Sequence, residues 1–163
     1  MITSGTKDKC DTPSERAPSR HNKYSEIPLS PDLYCPYRYP IEANFTGRIS
    51  ELSELSEWLT NDEKPILMLA SIGGMGKTSL SWHWIQNYVD FSNLDGIMWW
   101  SFYWGSISFS EFLNKAIIYI SRNEISPNNI SSDYDKVNTL LMLLRHKKFL
   151  IIFDGFEPKL RPF

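Results

Sequence analysis

The sequence predicts an α/β fold, a parallel sheet with helices packed on both faces. Three observations carry this expectation. Apolar runs of strand length at 65–70, 97–104 and 149–153 alternate with helix-like stretches. The first run passes through a glycine-rich loop, residues 71–76, straight into Lys77-Thr78 and a helical stretch at 79–89. The last run is continuously apolar and ends in Asp154, as a buried parallel strand delivering a carboxylate at its C-terminal end does.

Each element follows in order. Residues 1–30 are rich in Ser, Pro, Lys, Asp and Arg and read as a disordered polar tail. Residues 31–43 carry Pro31, Pro36 and Pro40 among Tyr34, Tyr37 and Tyr39, which predicts an extended segment laid on the domain surface. The domain proper is expected over 44–163. Ile49, Leu52, Leu55 and Leu59 share one helix face, with Glu51, Glu54 and Glu57 turned away. Pro65 is tolerable at the start of the strand that follows. Trp82 and Trp84 lie on the helix after the glycine loop and are expected in the core. Asn93–Gly96 forms a turn before the second strand. Ser108 with Glu111 is a capping box. It opens a helix whose Phe109, Phe112, Leu113, Ala116, Ile117 and Ile120 recur at helical spacing. A third such helix places Asp133 and Asp135 in its first turn and Val137, Leu140, Leu141 and Leu144 on one face. Arg145, His146, Lys147 and Lys148 suit its C-terminal end.

The loop has the chemistry of a phosphate cradle. Gly73, Gly74 and Gly76 let the backbone curl so that several N–H groups face one anion. The helix start adds unpaired donors and a partial positive charge. Ile72, Met75 and Ser79 contribute backbone to the same cradle. Lys77 supplies a full charge to the β/γ-phosphates, and Thr78 offers a hydroxyl to Mg²⁺. Asp154 can hold the water shell of the same ion. Glu157, three places on, is the candidate for polarising an attacking water. The common pattern has glycine where this chain has Ser71. A positive φ there strains the loop and lowers affinity.

Composition excludes several classes. The chain has 163 residues, enough for one domain, and a net charge of -2 with no basic block, so no nucleic-acid partner is expected. The Trp-rich run at 99–104 lacks interleaved Lys or Arg and reads as a buried strand, not as a base-stacking platform. Cys10 and Cys35 show no metal-ligand spacing and read as free thiols in a reducing compartment. Residues 1–10 hold no apolar core segment, so no secretory leader is expected, and no apolar stretch approaches the ~18 residues of a membrane span. A cytoplasmic protein without a membrane partner is expected.

Taken together, three motifs resemble those of the signal-transduction ATPases with numerous domains, the class that contains NB-ARC and NACHT modules. The stretch 45–55, FTGRISELSEL, is similar to that class's N-terminal signature. IGGMGKT at 72–78 resembles its loop, and FLIIFDGFE at 149–157 its Mg²⁺-binding strand, including an acid at Glu157. DGIMWWSF at 95–102 is similar to the second strand of bacterial members. The resemblance implies a three-layer P-loop NTPase core of the ASCE type. It implies an ADP/ATP switch with Mg²⁺ as cofactor, in which Lys77, Asp154 and Glu157 are the catalytic candidates. It also implies that Phe45, Gly47 and Arg48 lie on the adenine side, with Thr46 between them. The Mg²⁺ strand is then expected between the 65–70 strand and the 97–104 strand. Members of the class continue with further strands, a sensor Arg, a helical subdomain and a winged helix. The resemblance therefore implies an N-terminal portion of a longer protein, truncated after the Mg²⁺ strand, whose sensor and effector regions are its partners and which oligomerises on activation. With 65–70 left as an uncovered edge, poor solubility is expected. Two alternatives stand beside the switch: a nucleotide-binding fragment or remnant without turnover, and a small-molecule kinase.

Overall fold

The computed structural model describes residues 27–37, 45–61, 63–103 and 108–156. Their order is α1 (Ile49–Asn61), α2 (Lys77–Tyr88), β1 (Gly96–Ser101), α3 (Phe109–Ile120), α4 (Asp133–Leu144) and β2 (Phe149–Asp154). Short 3-10 turns at Phe91–Asn93 and Pro127–Asn129 punctuate the connections. The fold is mixed α/β around a small parallel sheet. β1 and β2 pair in register from Gly96 opposite Phe149 to Ser101 opposite Asp154.

Local chemistry sets the helix starts. The Ser108 hydroxyl accepts from the Glu111 N–H at 3.1 Å, and the Ser132 hydroxyl accepts from the Asp135 N–H at 3.1 Å. Each satisfies a donor the first turn leaves unpaired. Asp133 and Asp135 lie in the first turn of α4, where negative charge is favoured.

Strand alternation then distributes the core. Ile97 and Trp99 of β1, with Leu150 and Ile152 of β2, pack with Leu52 and Leu55 of α1 and Leu80, Trp84 and Ile85 of α2. Met98 and Trp100, with Phe149 and Ile151, face the other way, onto Phe112, Leu113, Ala116, Ile117 and Ile120 of α3 and Leu140 of α4. One strand thus feeds two apolar layers, because successive side chains leave it on opposite faces. Trp99 and Trp100 are buried, which accounts for the tryptophan run without a nucleic-acid platform.

Several expectations are corrected. Residues 65–70 form no strand: they enter no ladder, and Ile66 (79% exposed) and Met68 (72%) face solvent. An apolar run becomes a strand only when a neighbour pairs with its N–H and C=O groups, and no described segment does so. The expected sheet order is therefore present only as its β1–β2 half. Ile49 and Leu141, assigned to buried faces, are 80% and 60% exposed, and Leu143 packs where Leu141 was expected. Finally, the Pro/Tyr segment does more than lie on the surface. The Tyr34 N–H donates to Ile97 O, and the Trp99 N–H donates to Tyr34 O, both at 2.9 Å, forming a parallel bridge on the outer edge of β1. The Tyr34 side chain enters the core beside Tyr119. The Tyr119 hydroxyl accepts from the Ile97 N–H at 3.0 Å and donates to Asp32 O at 2.5 Å, tying segment, strand and α3 together. Packing also reaches into the expected tail, since Ser30 is buried and accepts from Arg122 Nε at 3.1 Å. The rest of the tail, with Cys10, and Trp104, expected in the second strand, lie outside the described residues.

These buried phenols make stability sensitive to alkali. Burial pushes Tyr34 and Tyr119 each from 10.0 up to about 12. Above pH 10 the unfolded chain gives up these protons while the folded chain keeps them. The unfolded state then binds fewer protons, so stability falls as pH rises. The melting temperature is expected to hold below about pH 10 and drop steadily towards pH 12. A melting temperature unchanged across that window contradicts the burial of these hydroxyls.

Candidate functional site

The C-terminal end of the sheet, the start of α2 and the loop before it converge on one point. Residues 71–76 leave the extended segment and tighten into a turn in which the Met75 N–H donates to Ile72 O at 3.3 Å. Gly74 (φ +82°) and Gly76 (φ +77°) take the left-handed conformations that make this curl inexpensive. Ser71, in place of the usual glycine, is not among the positive-φ residues, so the strain expected there does not arise. Gly76 is the N-cap of α2 and provides no side-chain hydrogen bond. The first donors of α2 are therefore not answered by a capping side chain.

Four contacts define the geometry. Lys77 Nζ donates to Ser71 O at 2.9 Å, folding the ammonium back over the loop. Arg48 Nη2 donates to Met75 O at 2.6 Å, joining the start of α1 to the loop. Arg48 Nη1 also lies 3.6 Å from Glu51 Oε1. Thr78 Oγ1 donates to Asp154 Oδ1 at 2.8 Å. This last bond brings together residues 76 positions apart, one opening a helix and one closing a strand. Both side chains are half-buried. Ser79 sits in the first turn of α2, while Ile72, Gly73 and Met75 are exposed. Phe45 stacks on His83 of α2, ring centroids 4.2 Å apart and 17° from parallel. Gly47 (φ +80°) and Arg48 (φ +57°) form a left-handed pair between Phe45 and α1, which swings the guanidinium towards the loop.

The described candidates other than Phe45 and Gly47 thus gather at the loop or at Asp154. Phe45 lies on the flank of α2. Glu157 lies outside the described residues. The residue after Asp154 has a structural explanation. Gly155 has φ +68°, and a Cβ there would stand 2.5 Å from the Tyr103 ring. No larger residue fits that position without moving Tyr103. Sequence reasoning assigns His83, near the loop, no role, and passes over Ser101 and Tyr103. Ser101 is a lone hydroxyl in an apolar strand, but only the β1–β2 register reveals that it faces Asp154. A cavity of about 330 Å³ lies elsewhere, against α3 and the 123–128 connection, and no loop residue lines it. Among the described residues no group of three His, Cys, Asp or Glu side chains converges, and no helix is long and apolar enough to cross a membrane.

No family model matches the chain, and no solved structure matches it. Among curated proteins it is similar to the transcription activator GutR of Bacillus subtilis (strain 168), with 27% identity over 148 residues. That match covers 88% of this chain and 17% of the relative. The chain therefore spans about one sixth of the curated relative's length.

Proposed function

We propose that the chain binds ADP or ATP with Mg²⁺ and serves as the nucleotide-binding part of a switch protein, a P-loop NTPase resembling NB-ARC and NACHT modules. The observation that carries this reading is the 2.8 Å bond between Thr78 and Asp154 at the mouth of the glycine loop. Two hard oxygen donors stand side by side where a phosphate chain would end. Mg²⁺ suits such a pair, because it takes one or two protein oxygens and fills its other positions with water and phosphate. Bound there, the ion would neutralise charge on the terminal phosphates. The residues themselves bind and orient. Gly73, Gly74, Met75 and Gly76 supply backbone N–H groups, and the uncapped start of α2 adds its donors. Lys77 exchanges the Ser71 carbonyl for a phosphate oxygen. Arg48 steadies the loop from outside. Glu157 is the proposed water-orienting group.

A second reading, binding without turnover, is favoured by one feature. The position directly after Asp154 is Gly155, set against the Tyr103 ring, and carries no acid. For this chain, binding is therefore proposed ahead of catalysis. A small-molecule kinase, which requires an acceptor cavity beside the loop, is proposed behind both. The reading assigns sensing, output and any activation-dependent assembly to other parts of a longer protein.

Thermal unfolding with and without Mg·ADP tests the proposal. At a hundredfold excess over Kd, ligand binding stabilises the native state by about 2.7 kcal/mol. A clear upward shift is expected, with no phosphate released from ATP under the same conditions. A melting curve indifferent to ADP removes the nucleotide reading, and steady phosphate release replaces passive binding by turnover.

A further inference from the structure

The carboxylate of Asp154 has two oxygens, and only one faces Thr78. The other, Oδ2, lies 3.4 Å from the hydroxyl of Ser101. Ser101 is the last residue of β1 and stands directly opposite Asp154 in the parallel register. It is completely buried, a single polar side chain at the end of an otherwise apolar strand. The Tyr103 N–H points at the same hydroxyl oxygen at 3.4 Å. A serine hydroxyl has one hydrogen to give. With the Tyr103 amide directed at its oxygen, that hydrogen is left for Asp154 Oδ2. The backbone is fixed at the same place, because the Phe102 N–H donates to Asp154 O at 2.8 Å.

We infer that Ser101 is a positioning residue for the cation. By holding Oδ2, it sets the plane of the carboxylate so that Oδ1 faces Thr78 and the mouth of the loop. This rests on the nucleotide reading above and deepens it. At 3.4 Å the contact is long for a hydroxyl–carboxylate bond. It therefore steers the carboxylate without binding it tightly, and a cation pulling on Oδ1 has room to shorten it. Partners of this outer kind alter metal affinity by about 10–100-fold when removed. Their loss leaves the phosphate cradle itself intact.

The test separates cation from nucleotide. ADP is titrated calorimetrically into the full chain, once in excess Mg²⁺ and once in EDTA. Mn²⁺ binding to the ADP-loaded chain is followed by electron paramagnetic resonance. For Ser101→Ala, the Mn²⁺ Kd is expected to rise about tenfold, ADP affinity in Mg²⁺ to fall, and ADP affinity in EDTA to match wild type. Ser101→Thr keeps the hydroxyl and is expected to keep the wild-type Mn²⁺ affinity. Equal losses of ADP affinity in both arms, unchanged Mn²⁺ binding in Ser101→Ala, or a Thr variant as weak as the Ala variant would each overturn the positioning role alone. A wild-type chain that binds no ADP in either arm overturns the nucleotide reading, and the inference falls with it.

Discussion

Replacing Lys77 by alanine is expected to remove measurable Mg·ADP binding while leaving the fold in place. The ammonium donates to the Ser71 carbonyl, within the same loop, and the side chain is half-exposed. Its loss leaves no buried charge behind, so the melting temperature of the free protein should hardly move. Binding is another matter. Each hydrogen bond to a charged group contributes about 1.5–3 kcal/mol, and about 1.4 kcal/mol is a factor of ten in affinity. Two such bonds to phosphate oxygens correspond to a fall on the order of a hundredfold or more. Calorimetric titration of wild type and variant, at matched Mg²⁺, is the measurement. A variant that folds and binds ADP as wild type does would end the assignment of this loop to phosphate.

The largest effect on stability is expected from Trp99→Ala. Trp99 is fully buried at the centre of β1 and meets Trp82 edge-on, with ring centroids 5.3 Å apart. Truncating a buried aromatic to alanine costs about 3–5 kcal/mol through lost burial and the cavity left behind. Domains of this size hold only about 5–15 kcal/mol in total. Such a loss leaves the variant partly unfolded at room temperature, or unfolded at far lower urea. Tyr134→Ala, on the exposed face of α4, is the matched control and should shift stability by no more than about 0.5 kcal/mol. If both variants unfold at the wild-type urea concentration, β1 is not the two-sided core strand described above.

Much of this was legible in the sequence. The loop and its helix were readable because glycine, lysine and threonine sit at fixed offsets that only one backbone path serves. The Thr78–Asp154 meeting was readable because a buried strand ending in acid delivers its carboxylate to the same pole as the loop. The helix starting after Ser108 was written in its cap and its spacing. What escaped reading depended on partners distant along the chain. The apolar run at 65–70 looks like a strand, but its ladder neighbour is a property of the sheet and not of the run. Tyr34, flanked by prolines, reads as surface, and only the open edge of β1 and the Asp32–Tyr119 bond show why it turns inward. Ile49 and Leu141 misled because periodicity gives the direction of a side chain and not the extent of what it meets. Ser101 acquires meaning only through a register that pairs it with Asp154.

The segment before the loop has one more consequence. Ile66 and Met68 leave hydrocarbon against water, at about 25 cal/mol for every square ångström left wet. That unspent free energy lies immediately upstream of the residues that would grip phosphate. Any surface that settles over these side chains gains it, and in doing so restrains the stem from which the loop springs. If the loop holds a nucleotide as proposed, a partner seated on Ile66 and Met68 would bear on that hold through the backbone that joins them.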